Sequence, residues 1–279
     1  GIRDLIVTGV QTCALPISKV ANTSATAAST GTDLNGKAAV DAANHIKGRL
    51  VAHLAAQYQV PVETIRFAHD MVQVGDKALT FAEVAQDAYV SRIQLWSDGF
   101  YATPKLHWDR HTMQGRPFYY FAYGAAVAEV LLDTLTGECK VLRADALHDV
   151  GQSINPALDI GQVEGAFIQA MGWMTNEELY WHPQSGKLMT HAPSTYKIPT
   201  ASDVPAEFNV KLFQNRNVED TVYRSKAVGE PPMILPFSVF LAIRDAVSAV
   251  GQHRVDPPLR VPATPEAILD AIDAVKAAA

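Results

Sequence analysis

The chain has 279 residues, 48% hydrophobic and 19% charged, with a formal net charge of −6. That length supports about two domains and a real core without disulfide or metal staples. With 23 basic against 29 acidic residues, a general nucleic-acid binder is excluded. Cys13 and Cys139 are the only cysteines, so there is no disulfide framework and no C-x-x-C or Cys/His cluster for zinc or iron–sulfur. No apolar run approaches the roughly 18 residues of a membrane helix, so no membrane association is expected.

The opening GIRDLIVTGVQTCALPIS does not start with Met, and it lacks a basic stretch followed by a sustained apolar one. It reads as translated sequencing-adapter sequence. Residues 1–18 are therefore expected to be non-native, leaving 19–279 as the C-terminal part of a longer protein. Without a targeting pattern the expected location is the cytoplasm.

Residues 22–32 are small and hydroxyl-rich and lead into a helical pattern through Val40, Ala43, Ile46, Leu50 and Leu54, ending near Tyr58 before Pro61. Residues 65–74 read as one strand, Gly75-Asp76 as a turn and Ala78-Leu79 as a return. Thr80 and Glu83 form a capping box that opens a helix to about Ile93. Residues 98–117 read as loop. A β-hairpin follows, Phe118–Leu132 and Glu138–Val150, turning at 134–137. Asp159 is expected to cap a helix from Ile160, with Gln162 as its capping-box partner. Its apolar face would be Val163, Phe167, Met171 and Met174. Gly161, Gly165 and Gly172 inside it call for close backbone approach by a neighbour or ligand, since each costs about 1 kcal/mol against Ala. Residues 181–218 read as loop and strand. Helices over Leu235–Val250 and Glu266–Ala278 complete an α+β chain, with two subdomains dividing somewhere in 95–118.

Three segments are candidates for chemistry. In Thr26-Ala27-Ala28-Ser29-Thr30-Gly31-Thr32, small side chains and hydroxyls precede a helix whose first N–H groups are unpaired, a setting for an anionic group. An ordinary helix cap reads the same way. In Gly229-Glu230-Pro231-Pro232, proline pushes Glu230 toward extended geometry among apolar neighbours. A carboxylate buried there would have a raised pKa suited to a general base, although an acid complementing a helix N-terminus fits equally. His148-Asp149 is a poor catalytic pair, because adjacent strand side chains point to opposite faces. No dinucleotide, P-loop, nucleophile-elbow or zinc-protease motif is present.

Together NTSATAASTGTDLNG (22–36), GRPFYYFAYGAAVAEV (115–130), DTLTGE (133–138), HDVGQSINPALDIGQVEGAFIQAMG (148–172), PSTYKIPT (193–200) and SKAVGEPP (225–232) resemble the C-terminal part of the molybdenum-binding subunit of xanthine dehydrogenases, within the molybdenum hydroxylases. The resemblance implies a C-terminal molybdopterin-binding region with Glu230 as catalytic base and the backbone of Ala28 beside molybdenum. It further implies that Thr26, Ala27, Ser29, Thr30 and Thr32 hold the pterin and its phosphate, and that Gln162 hydrogen-bonds the pterin. The implied reaction is purine hydroxylation, hypoxanthine or xanthine to urate, with water as oxygen source. Electrons would leave through 2Fe-2S clusters and FAD on a partner subunit to NAD, in a hetero-oligomer. The family's substrate-clamping residues lie upstream of the matched region, so this polypeptide alone is expected to be inactive. The alternatives are a related aldehyde oxidase or carbon monoxide dehydrogenase large subunit, or a non-catalytic interaction module.

Overall fold

A computed structural model describes residues 29–279; the expected non-native segment 1–18 lies outside them. Helix α1 runs Gly31–Tyr58, starting well ahead of the periodic stretch, and only Leu50 and Leu54 are buried on it. Gln59 closes it in the left-handed conformation, its N–H donating to the Ala55 carbonyl.

The segment expected as one strand is two. Strands β1 (Ile65–Ala68), β2 (Met71–Val74) and β3 (Lys77–Thr80) form an antiparallel sheet in that order. The chain reverses at His69-Asp70, both with positive φ (50° and 59°). Two successive left-handed residues make the two-residue turn whose twist suits a hairpin. His-Asp fills it here instead of the usual Asn-Gly. Helix α2, Phe81–Val90, begins with the expected capping box: the Thr80 hydroxyl oxygen accepts from the Glu83 N–H, and the Glu83 carboxylate accepts from the Thr80 N–H. It stops three residues before Ile93. Leu50, Leu54, Ile65, Val72, Val74, Val84 and Ala88 pack as one apolar cluster.

The stretch 98–117 is not all loop, since β4 (His107–Asp109) and β5 (Gln114–Arg116) pair within it. Next, β6 (Gly124–Leu132) and β7 (Cys139–His148) form the expected hairpin, with a bulge at Glu129/Val130 and a start six residues later than expected. Asp133 orders the turn by accepting from the Leu135 N–H (2.8 Å). Strand β8 (Glu207–Leu212) joins β7 in parallel, giving the order β6-β7-β8.

Helix α3 spans Pro156–Thr175. Its cap is Asn155, which accepts from the Leu158 N–H (3.3 Å) with proline in the first position, so the Asp159–Gln162 capping box is not formed. Asn-Pro fixes the start four residues earlier because proline's preset φ and missing N–H suit a first helical residue. Val163, Phe167 and Met171 are buried as expected, while Met174 is only partly so. A β-carbon on Gly172 would strike Glu177 and lie 2.5 Å from Pro199, but Gly161 and Gly165 face open space. Neighbour contact therefore explains only Gly172.

Helices α4 (Phe237–Val250) and α5 (Pro265–Ala278), with α3, cover one face of the β6–β8 sheet. Phe167, Val239, Ile243, Val247, Ile268, Ile272 and Val275 are fully buried in this larger cluster. One reading of the sequence needs correction: Pro231–Val250 is, by length and composition, long and apolar enough to cross a membrane. Its buried stripe of Val239, Ile243 and Val247 packs in the cluster with Ile268 and Ile272, as a core helix does.

Candidate functional site

The site is built around the segment 215–234, which crosses from the edge of the β6–β8 sheet to the start of α4. Its first anchor is backbone pairing. The Gln152 N–H donates to the Arg224 carbonyl (2.9 Å), and the Lys226 N–H donates to the Val150 carbonyl (2.8 Å). Gly151 lies in the left-handed region (φ 63°), and a β-carbon there would sit 2.5 Å from the Arg224 carbonyl oxygen. This approach requires glycine.

The second anchor is a buried ion pair. Lys226 Nζ lies 2.6 Å from Asp149 Oδ2, with the two side chains 6% and 4% exposed. Asp149 also accepts from the Gly151 N–H (2.8 Å) and from Asn215 Nδ2 (3.0 Å). Burial works to raise this carboxyl, but Lys226 and the neutral donors outweigh it and hold it below the ordinary carboxylate range. Further along, Glu219 accepts from Lys105 (2.6 Å) and Arg116 (2.7 Å), which tie the aromatic-rich stretch before β6 to the same segment.

His148 and Asp149 do not pair. His148 is 1% exposed, and neither ring nitrogen has a hydrogen-bond partner among the described residues. Burial pushes its pKa below the ordinary value, with Asp149 opposing the shift and Lys226 adding to it.

Glu230 departs from expectation twice. Its backbone is helical (φ −97°, ψ −38°), and it caps a 3₁₀ turn over Pro231–Ile234. The Met233 N–H donating to the Glu230 carbonyl (2.9 Å) closes that turn and overrides the extended preference of a pre-proline residue. Its side chain is exposed rather than buried. The apolar residues that follow it do not enclose it: Pro232 and Leu235 are buried, while Ile234 is 68% exposed.

One contact set brings the sequence-distant candidates together. A β-carbon built on Gly229 would collide with Ser29 Oγ and lie 3.2 Å from Gln162 Oε1. Gly229 thus sits beside both the turn that begins α1 and the exposed Gln162 on α3, with Glu230 next in the chain. Ser29 holds a left-handed backbone (φ 57°), uncommon for a residue with a β-carbon. Thr30 is the N-cap of α1, its carbonyl accepting from the Leu34 N–H (2.9 Å), and Thr32 lies in the first turn. Thr26, Ala27 and Ala28 lie outside the described residues, including the backbone expected beside molybdenum. Among the described residues no group of three or more His, Cys, Asp or Glu forms a metal cluster.

Sequence reasoning named Gly229 only as part of the Gly-Glu-Pro-Pro run and passed over Lys226, Asp33 and Tyr120. Only Gly229 carried a local signal, a glycine directly ahead of Glu-Pro-Pro.

This architecture is that of an α+β domain in which a glycine backbone meets a serine hydroxyl and a glutamine amide, with a glutamate next in the chain. The molybdopterin cofactor-binding domain family matches residues 10–205, and the chain belongs to that family. It is 43% identical over 258 residues to mouse xanthine dehydrogenase/oxidase, covering 90% of this chain and 18% of that protein. It is 45% identical over 234 residues to xanthine dehydrogenase of Dictyostelium discoideum, covering 83% of this chain and 16% of that one. The chain thus spans less than a fifth of the length of these relatives. Its fold is similar to that of CO dehydrogenase from Oligotropha carboxidovorans, with a TM-score of 0.68 at 22% identity over 88% of this chain and 29% of that one.

Proposed function

We propose that this chain forms one wall of the molybdenum-cofactor site of a xanthine dehydrogenase-type hydroxylase, which oxidises a purine to urate with oxygen from water. The observation that carries the reading is the meeting of Ser29, Gln162 and Gly229 beside Glu230. The residues fit the group. Gly229 has no β-carbon to hold Ser29 and Gln162 away, so the three meet closely enough to form one wall of a cradle. The Ser29–Thr32 turn offers hydroxyls at the start of a helix, where the helix dipole favours an anion such as a pterin phosphate without lysines. Gln162 adds an amide that can donate and accept.

When bound, the molybdenum cofactor supplies the two-electron oxidation that no side chain here can perform. The chain's own part is positioning and proton transfer. Two prolines fix the backbone directly after Glu230, and the 3₁₀ turn holds its carbonyl. The carboxylate is exposed, one residue beyond Gly229, and would accept a proton from the attacking water. In the intact enzyme, 2Fe-2S and FAD groups on a partner subunit would carry the electrons to NAD, in a cytoplasmic hetero-oligomer. The polypeptide alone neither retains the cofactor nor oxidises xanthine, because the face opposite Gly229 and Glu230 must come from elsewhere in the enzyme.

The test is Glu230→Gln in the intact enzyme. Loss of a general base lowers turnover of xanthine by on the order of 10²–10⁴-fold, with molybdenum content retained. Undiminished urate formation by the variant overturns the assignment.

A further inference from the structure

Tyr120 lies in the stretch between β5 and β6 and has no place in the chemistry described so far. Its hydroxyl donates to Asp33 Oδ2 and accepts from the Ala227 N–H (2.8 Å). Asp33 is in the first turn of α1, four residues after Ser29, and Ala227 is two residues before Gly229. One phenol therefore bridges the two backbones that form the cradle, across sequence separations of 87 and 107 residues. The bond to Asp33 points one way. Burial, then Asp33, raise the phenol pKa and keep the hydroxyl a donor. Burial also raises the Asp33 carboxyl, which Tyr120 and Lys37 lower in part. One turn further along α1 a second brace repeats the arrangement: Lys37 reaches Asp220 at 2.9 Å, and Gly36 lets Val222 approach its backbone.

We propose that Tyr120 is a positioning residue: the Asp33–Tyr120–Ala227 bridge sets the spacing between the Ser29–Thr32 turn and Gly229–Glu230, and so the width of the cofactor cradle. Its functional consequence rests on reading that cradle as the molybdopterin site; the bridge itself does not. Packing alone does not account for it, since phenylalanine would fill the same volume while leaving the Ala227 N–H and the Asp33 carboxylate without this partner. A partly buried donor left unpaired is costly.

The test compares hydrogen exchange and molybdenum content in the intact enzyme and its Tyr120→Phe, Asp33→Asn and Asp33→Leu variants. In Tyr120→Phe the Ala227 amide exchanges faster by on the order of tenfold, amides of the β6–β7 hairpin are unchanged, and molybdenum per enzyme falls. Asp33→Asn keeps an oxygen that accepts from Tyr120 and stays near wild type; Asp33→Leu behaves like Tyr120→Phe. Unaltered Ala227 exchange in Tyr120→Phe, or equal damage from Asn and Leu at position 33, overturns the bridge. Faster exchange with undiminished molybdenum overturns its role in the cradle. Neither result bears on the Glu230→Gln test, so the two readings fail separately.

Discussion

The two apolar clusters of this molecule are held in different ways. The smaller one, around the far half of α1, β1–β3 and α2, buries no polar or charged side chain among the described residues, and its contacts come from residues 46–93. The larger one draws on residues 126–275, and the buried polar residues fall within that stretch of the chain: His148, Asp149, Asn217, Glu219, Thr221, Ser225 and Thr264. Local turns and a capping box are enough to close the first. The second must fix an irregular segment that carries Gly229 and Glu230, and irregular backbone needs polar partners wherever water is excluded. Buried polarity thus marks where the chain holds its site.

That contrast can be broken by substitution, and the largest effect should come from the ion pair. Lys226→Met leaves Asp149 charged and uncompensated, and a buried pair broken on one side costs about 3–5 kcal/mol. Denaturant unfolding of the variant should show that loss, whereas a cost within 1 kcal/mol would mean that solvent reaches Asp149.

A smaller effect is expected from His148, and it depends on pH. Its folded pKa lies below the ordinary 6.5, so the unfolded chain binds the extra proton as pH falls. The stability from keeping His148 neutral is complete above about 6.5 and declines as pH drops toward the folded value. Melting measured from pH 7.5 to 5.5 should therefore show a steeper acid-side decline for wild type than for His148→Leu. Parallel curves would exclude His148 as a source of the decline.

The smallest effect belongs to the small cluster. Thr80→Ala removes one helix cap and should cost about 1 kcal/mol, read by hydrogen exchange in α2 with the β6–β8 sheet unaffected. A change that spreads into that sheet would show that the two clusters unfold as one.

Sequence legibility followed the same division. The Thr80–Glu83 box, the β6–β7 hairpin and α5 were readable because their signals lie within a few residues of one another. The His69-Asp70 reversal was hidden because neither residue advertises positive φ as Asn-Gly would. The α3 start was misplaced because Asp159 drew attention from Asn155-Pro156. At the site, Ser29, Thr30, Thr32 and Glu230 were candidates from residue chemistry, the family resemblance gave their roles and that of Gln162, and the structure brings Ser29 and Gln162 to Gly229. The exposure of Glu230 was not readable, because apolar neighbours in sequence say nothing of which way the following turn carries them. Tyr120, Asp33 and Ala227 are bonded across long stretches of chain, a relation that no local pattern encodes.

The parallel placement of β8 beside β7 sets an order of assembly. The β6–β7 hairpin closes over the six residues 133–138, but His148 and Glu207, where the two parallel strands leave off and begin, have 58 residues between them that include all of α3. Closing so long an excursion carries an entropic cost that is recovered only when distant contacts form. A nascent chain would therefore present a finished hairpin with one bare edge until β8 is synthesised, and the segment bearing Gly229 would be the last part of the cradle to arrive.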